Sequence, residues 1–439
     1  MNVILPLCFI AIFIVIIYKH GFFKNSGLSF QILIGLFLLK IVAACALHFL
    51  YSFYYTERLE ADIFKYFDDA LILFKSCKDS PVLFFKLFFS IDIHNPALTP
   101  YYDALNFWER KIDYGIFNDN RTIIRINALL MFVSWGNIFV HHIIASFVSL
   151  IAFLLIFKVF TYYFQQHTTL FIISIFLIPS SLFWASALLK EMVVMLGLGL
   201  LLYGIHSYTI TSYRKYIIII GLGILVMSTI KIYVIVACIP AILSFIISHT
   251  FQHMSSWKIY ISIYTLSIVS VIINHYVHIV PFLETIASKR NDFIMDSAYY
   301  AHARSYIEIG MLKSTLSAFI YETPKALLRA FQLPTIIHIQ SPIEILPAIE
   351  NFVGLLLVIC MIFWFKKPNK KQQNIIWFSV FFSIGLLWFV GISTPVVGAI
   401  VRYKMPMLPF LYTSLALCID WKACKNVFVR KDIYGSSII

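Results

Sequence analysis

The chain has 439 residues, of which 61% are hydrophobic and only 13% are charged. A soluble globular domain is typically about 45–50% apolar and about 25% charged, so this composition excludes a soluble enzyme and a disordered chain. It indicates a polytopic membrane protein whose apolar side chains face lipid and neighbouring helices. The net charge of +13 would suggest nucleic acid in a soluble protein. Here it is explained by basic cytoplasmic loops, and no nucleic-acid partner is expected.

A membrane-crossing helix needs about 20 mostly apolar residues, and the sequence predicts an all-α protein with about 11 such helices. The first segment lacks a leading basic region and a small-residue cleavage site, so we expect a retained span rather than a cleaved signal peptide. In chain order the predicted spans are 2–18, 29–52, 140–161, 168–183, 187–206, 215–229, 232–249, 258–276, 347–365, 374–392 and 402–419.

The distribution of Lys and Arg predicts the orientation, because these residues collect in loops that stay in the cytoplasm. The strongest basic clusters are the loop 366–371 and the tail 421–439, which we therefore place inside. Two long segments, about 53–139 and 277–346, then lie outside. We expect one integral domain, 1–439.

The two outer segments are too long to be simple connections, so we expect them to carry function. Each mixes short amphipathic stretches, such as 80–91 and 312–333, with proline breaks. This pattern is typical of helices that lie flat on the membrane surface.

The first outer segment opens with an acidic motif. At about 100° per residue, one helical face carries Arg58, Asp62, Lys65, Tyr66 and Asp69. A carboxylate just above the membrane and beside cations can act as a general base or a metal ligand, while Asp68 points elsewhere. The alternative interpretation is an interfacial helix with solvated charges.

Several cations lie near the predicted outer ends of spans. Arg121 and Arg125 are one helical turn apart at headgroup level, where paired guanidiniums can clamp a phosphate or merely contact lipid headgroups. Single cations near other outer helix ends, either phosphate ligands or helix anchors, are Lys190, Lys231, Arg402 and Lys404.

The segment 179–191 is the sharpest local signal, because it places Lys190 and Glu191 at the lip of an apolar helix. Charges there are expensive unless they are paired or face a wet cavity. Lys190 can hold a lipid-linked phosphate as a point charge, or form a structural pair with an Asp or Glu. Together with Tyr66 and Glu350, Glu191 is a further candidate for lining an outer cavity.

The remaining motifs are uninformative about chemistry. No P-loop, GxGxxG or GxSxG motif is present, which excludes nucleotide-driven transport and serine hydrolase chemistry. The seven cysteines show no metal or disulfide spacing. No cofactor is indicated, a divalent metal is compatible with the acidic motif, and its ligands are unknown.

The acidic motif, Asp62…Tyr66…Asp69, resembles the first extracytoplasmic loop of GT-C superfamily glycosyltransferases. The segments 179–191 and 402–409 are similar to parts of bacterial envelope-polysaccharide proteins such as O-antigen and exopolysaccharide polymerases. Two features depart from the GT-C pattern: the acidic loop follows the second span rather than the first, and Asp62 stands without an adjacent acid.

The resemblance implies a GT-C-like membrane enzyme that transfers a sugar from a polyprenyl phosphate or diphosphate to a glycan or lipid-linked acceptor. It implies that an aspartate of the acidic loop acts as catalytic base or metal ligand and that nearby cations hold the phosphate. Here Asp62 is the first candidate base and Asp69 the second, and the basic residues named above are the candidate phosphate ligands. The resemblance also implies a bacterial cytoplasmic membrane. The alternatives are a repeat-unit polymerase, and a transporter or flippase for lipid-linked sugars. Against the transporter, the ionisable residues cluster at the predicted outer face rather than at mid-membrane, and we expect no pair of broken helices in matching halves of the chain.

Overall fold

The computed structural model describes residues 3–54, 58, 61–109, 118–300, 303–339 and 341–426. Most of the predicted tail, 427–439, lies outside these residues. Across the described ranges the protein is helical and contains no β-strand, as the composition predicts.

Twenty α-helices are defined in this part of the chain. The first ten are α1 (Ile4–Lys19), α2 (Gly21–Lys24), α3 (Phe30–Tyr54), α4 (Asp62–Asp79), α5 (Pro81–Phe89), α6 (Thr99–Ala104), α7 (Asp119–Ser134), α8 (Ile138–Tyr163), α9 (Thr168–Phe171) and α10 (Pro179–Trp184). The others are α11 (Lys190–Thr211), α12 (Lys215–Ser228), α13 (Ile232–Thr250), α14 (Ser256–Val277), α15 (Phe282–Met295), α16 (Leu316–Gln332), α17 (Ile345–Phe363), α18 (Lys370–Ser393), α19 (Val397–Lys404) and α20 (Leu408–Leu417). The π- and 3₁₀-segments are Ile172–Phe176, Asp296–Tyr300, Ile336–His338, Pro342–Glu344 and Met405–Met407.

Seven segments of the described chain are helical, long and apolar enough to cross a membrane. They lie in α3, α8, α11, α13, α14, α18 and, with its preceding turn, α17. Two shorter apolar helices, α1 and α12, match two further predicted spans. The polytopic membrane architecture therefore agrees with the prediction.

The other two predicted spans, 168–183 and 402–419, are not continuous helices. The first consists of α9, the π-turn and α10, with a break at 177–178 before Pro179. The second consists of α19, a 3₁₀-turn and α20, and contains Pro406 and Pro409. Proline has no N–H to donate and disfavours a helical residue before it, so both interruptions fall at prolines. The sequence predicted each of these two segments as one continuous span.

The chain forms two compact units where the sequence indicated one integral domain. Unit 1 comprises Met1–Lys158 and Leu182–Ile235, and unit 2 comprises Val159–Ser181 and Val236–Ile439. The acidic motif and α11 belong to unit 1. The interrupted segment 397–417 and the basic loop 366–371 belong to unit 2.

The predicted outer segments are structured. The amphipathic stretch 80–91 contains α5, and the stretch 312–333 contains α16. In both helices large apolar side chains remain exposed, including Phe85 and Phe89 in α5 and Ile320 and Leu328 in α16. These exposed faces fit helices that rest on a membrane surface.

In unit 2, α16 packs against α18 at one point of very close approach. A Cβ on Gly391 would overlap the carbonyl oxygen of Ala326. Beside this contact, Glu322 of α16 pairs with Arg329 (3.1 Å) and with Arg290 of α15 (3.2 Å). Arg329 also donates to the carbonyl of Gly391 at 2.7 Å. The second long segment is therefore held against α18 by the close packing of Ala326 on Gly391 and by the hydrogen bond from Arg329.

We expect Gly391→Ala to lower stability by about 1–3 kcal/mol, the usual cost of overpacking a close contact. The matched control is Gly385→Ala in the same helix, where the nearest atom to the added Cβ lies 3.5 Å away. Thermal unfolding of the two purified variants in detergent measures the difference. Equal melting of both variants would contradict the close contact.

The orientation predicted from Lys and Arg can be tested by thiol labelling of intact cells. Cys77 is half-buried whereas Cys424 is buried, so Cys424 makes a poor inner reporter. We therefore pair Cys77 with a thiol introduced by Lys367→Cys in the exposed basic loop. An impermeant reagent should modify Cys77 and spare the Lys367→Cys site until the cells are opened. The reverse pattern would invert the topology.

Candidate functional site

The site in unit 1 is built around the first residue of α11. The ammonium of Lys190 lies 2.8 Å from a carboxylate oxygen of Asp119 and donates to the side-chain oxygen of Asn120 at 2.6 Å. Both partners stand in the first turn of α7, where the positive end of the helix dipole favours a carboxylate. The side chains of Lys190 and Asp119 are only 11% and 18% exposed. Lys190 is therefore paired, as one of the two interpretations of the sequence predicted.

Asp62 approaches the same ammonium from α4. It is the first residue of that helix, lies 3.8 Å from Lys65, and interacts electrostatically with Lys190. The ring of Tyr66, one turn along, lies 5.3 Å from the Lys190 nitrogen. With a side chain that is 25% exposed, Asp62 is accessible to a substrate while its charge is compensated. The structure thus brings together Asp62, Tyr66 and Lys190 as the helical phase predicted.

Glu191 forms a second ion pair, next to the first. Its carboxylate is fully buried and lies 2.6 Å from the ammonium of Lys231. The pair joins α11 to the connection between α12 and α13. A buried pair of this kind orders the helices rather than contacting substrate, and removing one partner leaves a buried charge.

Asp69 binds the backbone of the loop that follows α6. It has no exposed surface, and its two oxygens accept the backbone N–H groups of Asn106 (3.0 Å) and Phe107 (2.8 Å). Burial raises the pKa of Asp69, and these N–H groups oppose the rise. Its contacts therefore indicate a residue that anchors the loop, although the sequence favoured it as a second base.

The predicted position of Arg58 on the acidic face is wrong. The helix begins at Asp62, so helical phase does not extend back to Arg58. Arg58 instead makes two 2.7 Å contacts with Asp68, on an exposed side of the helix. Asp68 points away from Lys190, as expected.

Arg121 and Arg125 lie against the first-loop backbone. Arg121 donates to the carbonyl of Trp108 at 3.0 Å and pairs with the exposed Glu109. Arg125 donates to the carbonyl of Phe88 at 2.5 Å, and its guanidinium stacks 5.1 Å from the Trp108 ring. Within the described residues Arg125 makes no ion pair. Burial, and then the nearby Arg121 charge, lower the pKa of Arg125. The two guanidiniums are therefore neighbours, and the carboxylate of Glu109 pairs with Arg121.

The remaining candidates belong to unit 2. Lys404 is buried and donates to the carbonyls of Ala330 (3.0 Å) and Leu333 (2.9 Å) and to Asn351 (2.8 Å). An ammonium has three donors, so Lys404 caps the end of α16 and has none left for a phosphate. Arg402 is half-buried at the end of α19. Glu350 is buried in α17 and accepts the N–H of Ser180 at 2.8 Å.

Sequence analysis overlooked Asp119, which holds Lys190 and is itself a candidate base. The signal was present: Asn118 caps α7 by accepting the N–H of Asn120, and Asp119 follows in the first turn. An Asn-Asp pair at a helix start is the pattern of an N-cap.

In the part of the chain that the structure describes, no three His, Cys, Asp or Glu side chains are grouped so as to hold a metal ion. Comparisons with protein-family models, with curated proteins and with solved structures return no match for this chain.

The pairing of Glu191 and Lys231 predicts a non-additive effect on stability. Lys231→Met leaves a buried carboxylate without its cation and should cost about 3–5 kcal/mol. Adding Glu191→Gln to that variant removes the charge and should recover most of the loss. The melting temperatures of both single variants and the double variant close the cycle. Additive losses would show that the two residues do not stabilise each other.

Proposed function

We propose that the protein is a membrane glycosyltransferase that takes a sugar from a polyprenyl phosphate or diphosphate. The acceptor is a glycan or a second lipid-linked saccharide, and the reaction serves cell-envelope polysaccharide synthesis. One observation carries the proposal: the partly exposed carboxylate of Asp62 lies beside the Lys190–Asp119 pair at the start of an apolar helix. The predicted topology puts this cluster on the extracytoplasmic side.

In the proposed reaction, Asp62 accepts the proton of the acceptor hydroxyl. The hydroxyl oxygen then forms a bond to the anomeric carbon as the bond from that carbon to the phosphate oxygen breaks, with inversion. Lys65 lies 3.8 Å from Asp62 and Lys190 interacts with it electrostatically, and neighbouring cations favour the ionised form that a base needs. A sugar hydroxyl is a weak nucleophile, so a positioned base supplies a large part of the rate.

The departing phosphate needs positive charge as its bond breaks. Arg125 is the first candidate, because it makes no ion pair among the described residues, and Arg121 lies next to it. Lys190 is already paired with Asp119, so it adds less positive charge at the departing phosphate than a cation without such a pair. Lys231 is no longer a candidate phosphate ligand, because it pairs with Glu191. Lys404 is excluded as well, because its ammonium donates to carbonyls at the end of α16. Arg402 stays a candidate of unit 2.

Polymerisation of whole repeat units uses the same chemistry, and the residues of unit 1 would serve it equally. A specific observation favours the second candidate function, a transporter or flippase for lipid-linked sugars. Unit 2 contains two interrupted helical segments and a buried glutamate. Broken helices that line a binding site are typical of secondary transporters.

The base assignment predicts that Asp62→Asn is folded but loses about 10²–10⁴-fold in transfer rate, the usual contribution of a general base. The matched control is Asp68→Asn in the same helix, whose partner is the exposed Arg58. Both variants are expressed in cells that lack the native copy, and envelope glycan is measured together with the amount of membrane-inserted protein.

Normal glycan with Asp62→Asn would contradict the assignment and move attention to Asp119. Asp119→Asn separates the two acids, because it should also unfasten Lys190 and lower the melting temperature. If both Asp variants melt normally and support glycan formation, unit 1 does not contain the catalytic base.

A further inference from the structure

Unit 2 buries a carboxylate that makes no ion pair among the described residues. The side chain of Glu350 is in the sixth position of α17, within an apolar segment long enough to cross a membrane, and Glu350 is 3% exposed. One oxygen accepts the N–H of Ser180 at 2.8 Å. The other oxygen is buried and has no hydrogen-bond partner in the part of the chain that the structure describes.

Lys404 acts on Glu350 electrostatically and opposes its negative charge, but the described residues contain no ion pair between the two. The ammonium of Lys404 is held by the carbonyls of Ala330 and Leu333 and by Asn351, which use its three N–H groups. Asn351 in turn donates to carbonyls at the end of α16. This network therefore stabilises Lys404 and leaves Glu350 outside it.

Two hydroxyls face Glu350 from neighbouring elements. The hydroxyl of Tyr412 in α20 donates to the backbone carbonyl of Glu350 at 2.8 Å. The hydroxyl of Ser180 is buried and lies next to the carboxyl. Ser180 follows the break at 177–178, where the helical hydrogen-bond ladder is interrupted. Breaks of this kind within a membrane are tolerated where they are buried in protein or line a water-filled cavity.

We propose that Glu350 is a reversible proton-binding site at the interrupted helix of unit 2. The proton sits on the partnerless oxygen, so that the buried group is neutral, and the hydroxyl of Ser180 is its neighbouring acceptor. Release transfers the proton to water and leaves a carboxylate that unit 2 must then hydrate or expose. A buried acid that neutralises avoids the large cost of a charge in an apolar interior.

This inference is independent of the transferase proposal, because it concerns different residues and is measured without activity. It assigns a proton-binding site to unit 2. It would also supply a coupling ion if unit 2 moves a lipid-linked sugar.

The first measurement is infrared spectroscopy of the full-length protein in lipid nanodiscs at neutral pH. We expect a protonated-carboxyl C=O band that disappears in Glu350→Gln and persists in Glu344→Gln. Glu344 is the matched control, since it is also buried and lies six residues earlier. Loss of the band on raising the pH, and its return on lowering it, would show reversibility. A spectrum in which Glu350→Gln changes no such band overturns the proposal.

The second measurement needs no variant and therefore does not depend on how Glu350→Gln folds. Dicyclohexylcarbodiimide reacts with protonated carboxyls in apolar surroundings, and peptide mass spectrometry locates the adduct. We expect Glu350 to be modified at neutral pH and protected at alkaline pH, with no effect of sodium at constant pH. Protection by sodium at constant pH would show a metal-cation site instead. Absence of any adduct in a recovered peptide that contains Glu350 would also overturn the proposal.

Discussion

The ion pair between Lys190 and Asp119 fixes the geometry on which the site of unit 1 depends. It joins the first turn of α11 to the first turn of α7, two segments separated by 70 residues of sequence. A lysine at the start of an apolar helix is stable only with a partner or a wet surface, and here it has both a carboxylate and an amide oxygen. Once α7 and α11 are joined, Asp62 of α4 lies beside the same ammonium. The catalytic proposal rests on that convergence.

Each unit contains a deeply buried glutamate, and the two carboxylates are held differently. In unit 1 the deeply buried Glu191 is matched by Lys231, so the region is held together by opposite charges. In unit 2 the buried lysine is solvated by backbone carbonyls, and the buried glutamate is left with one unpartnered oxygen. The first arrangement is rigid and suits a site that must hold its geometry. The second can gain or lose a proton, which suits a site that changes state.

Much of the fold could be predicted from hydropathy, because nine predicted spans correspond to apolar helices. The two failures, 168–183 and 402–419, share one cause. Hydropathy averages over a window, whereas prolines interrupt the hydrogen-bond ladder at single positions within an otherwise apolar run. The position of Arg58 was predicted wrongly for a different reason. Helical periodicity applies only from the residue where the helix begins, and α4 begins at Asp62.

The site could be predicted in part. Helical phase placed Asp62 and Tyr66 together and turned Asp68 away, because these relations are local. The partners of Lys190, Lys231 and Lys404 could not be predicted, because each lies 40 or more residues away in sequence or is a backbone carbonyl. For that reason the sequence predicted Lys231 and Lys404 as phosphate ligands, whereas their contacts in the structure are those of structural residues. Long-range pairing decides which charges remain available for chemistry.

The proposed function requires a lipid-linked phosphate to bind to unit 1 beside Asp62. Electron cryomicroscopy of the protein in nanodiscs that contain polyprenyl phosphate can locate that phosphate. We expect phosphate density within contact distance of Arg125 or Arg121, with the attached saccharide position facing Asp62. Phosphate density at the basic loop 366–371 of unit 2, with none in unit 1, would contradict it.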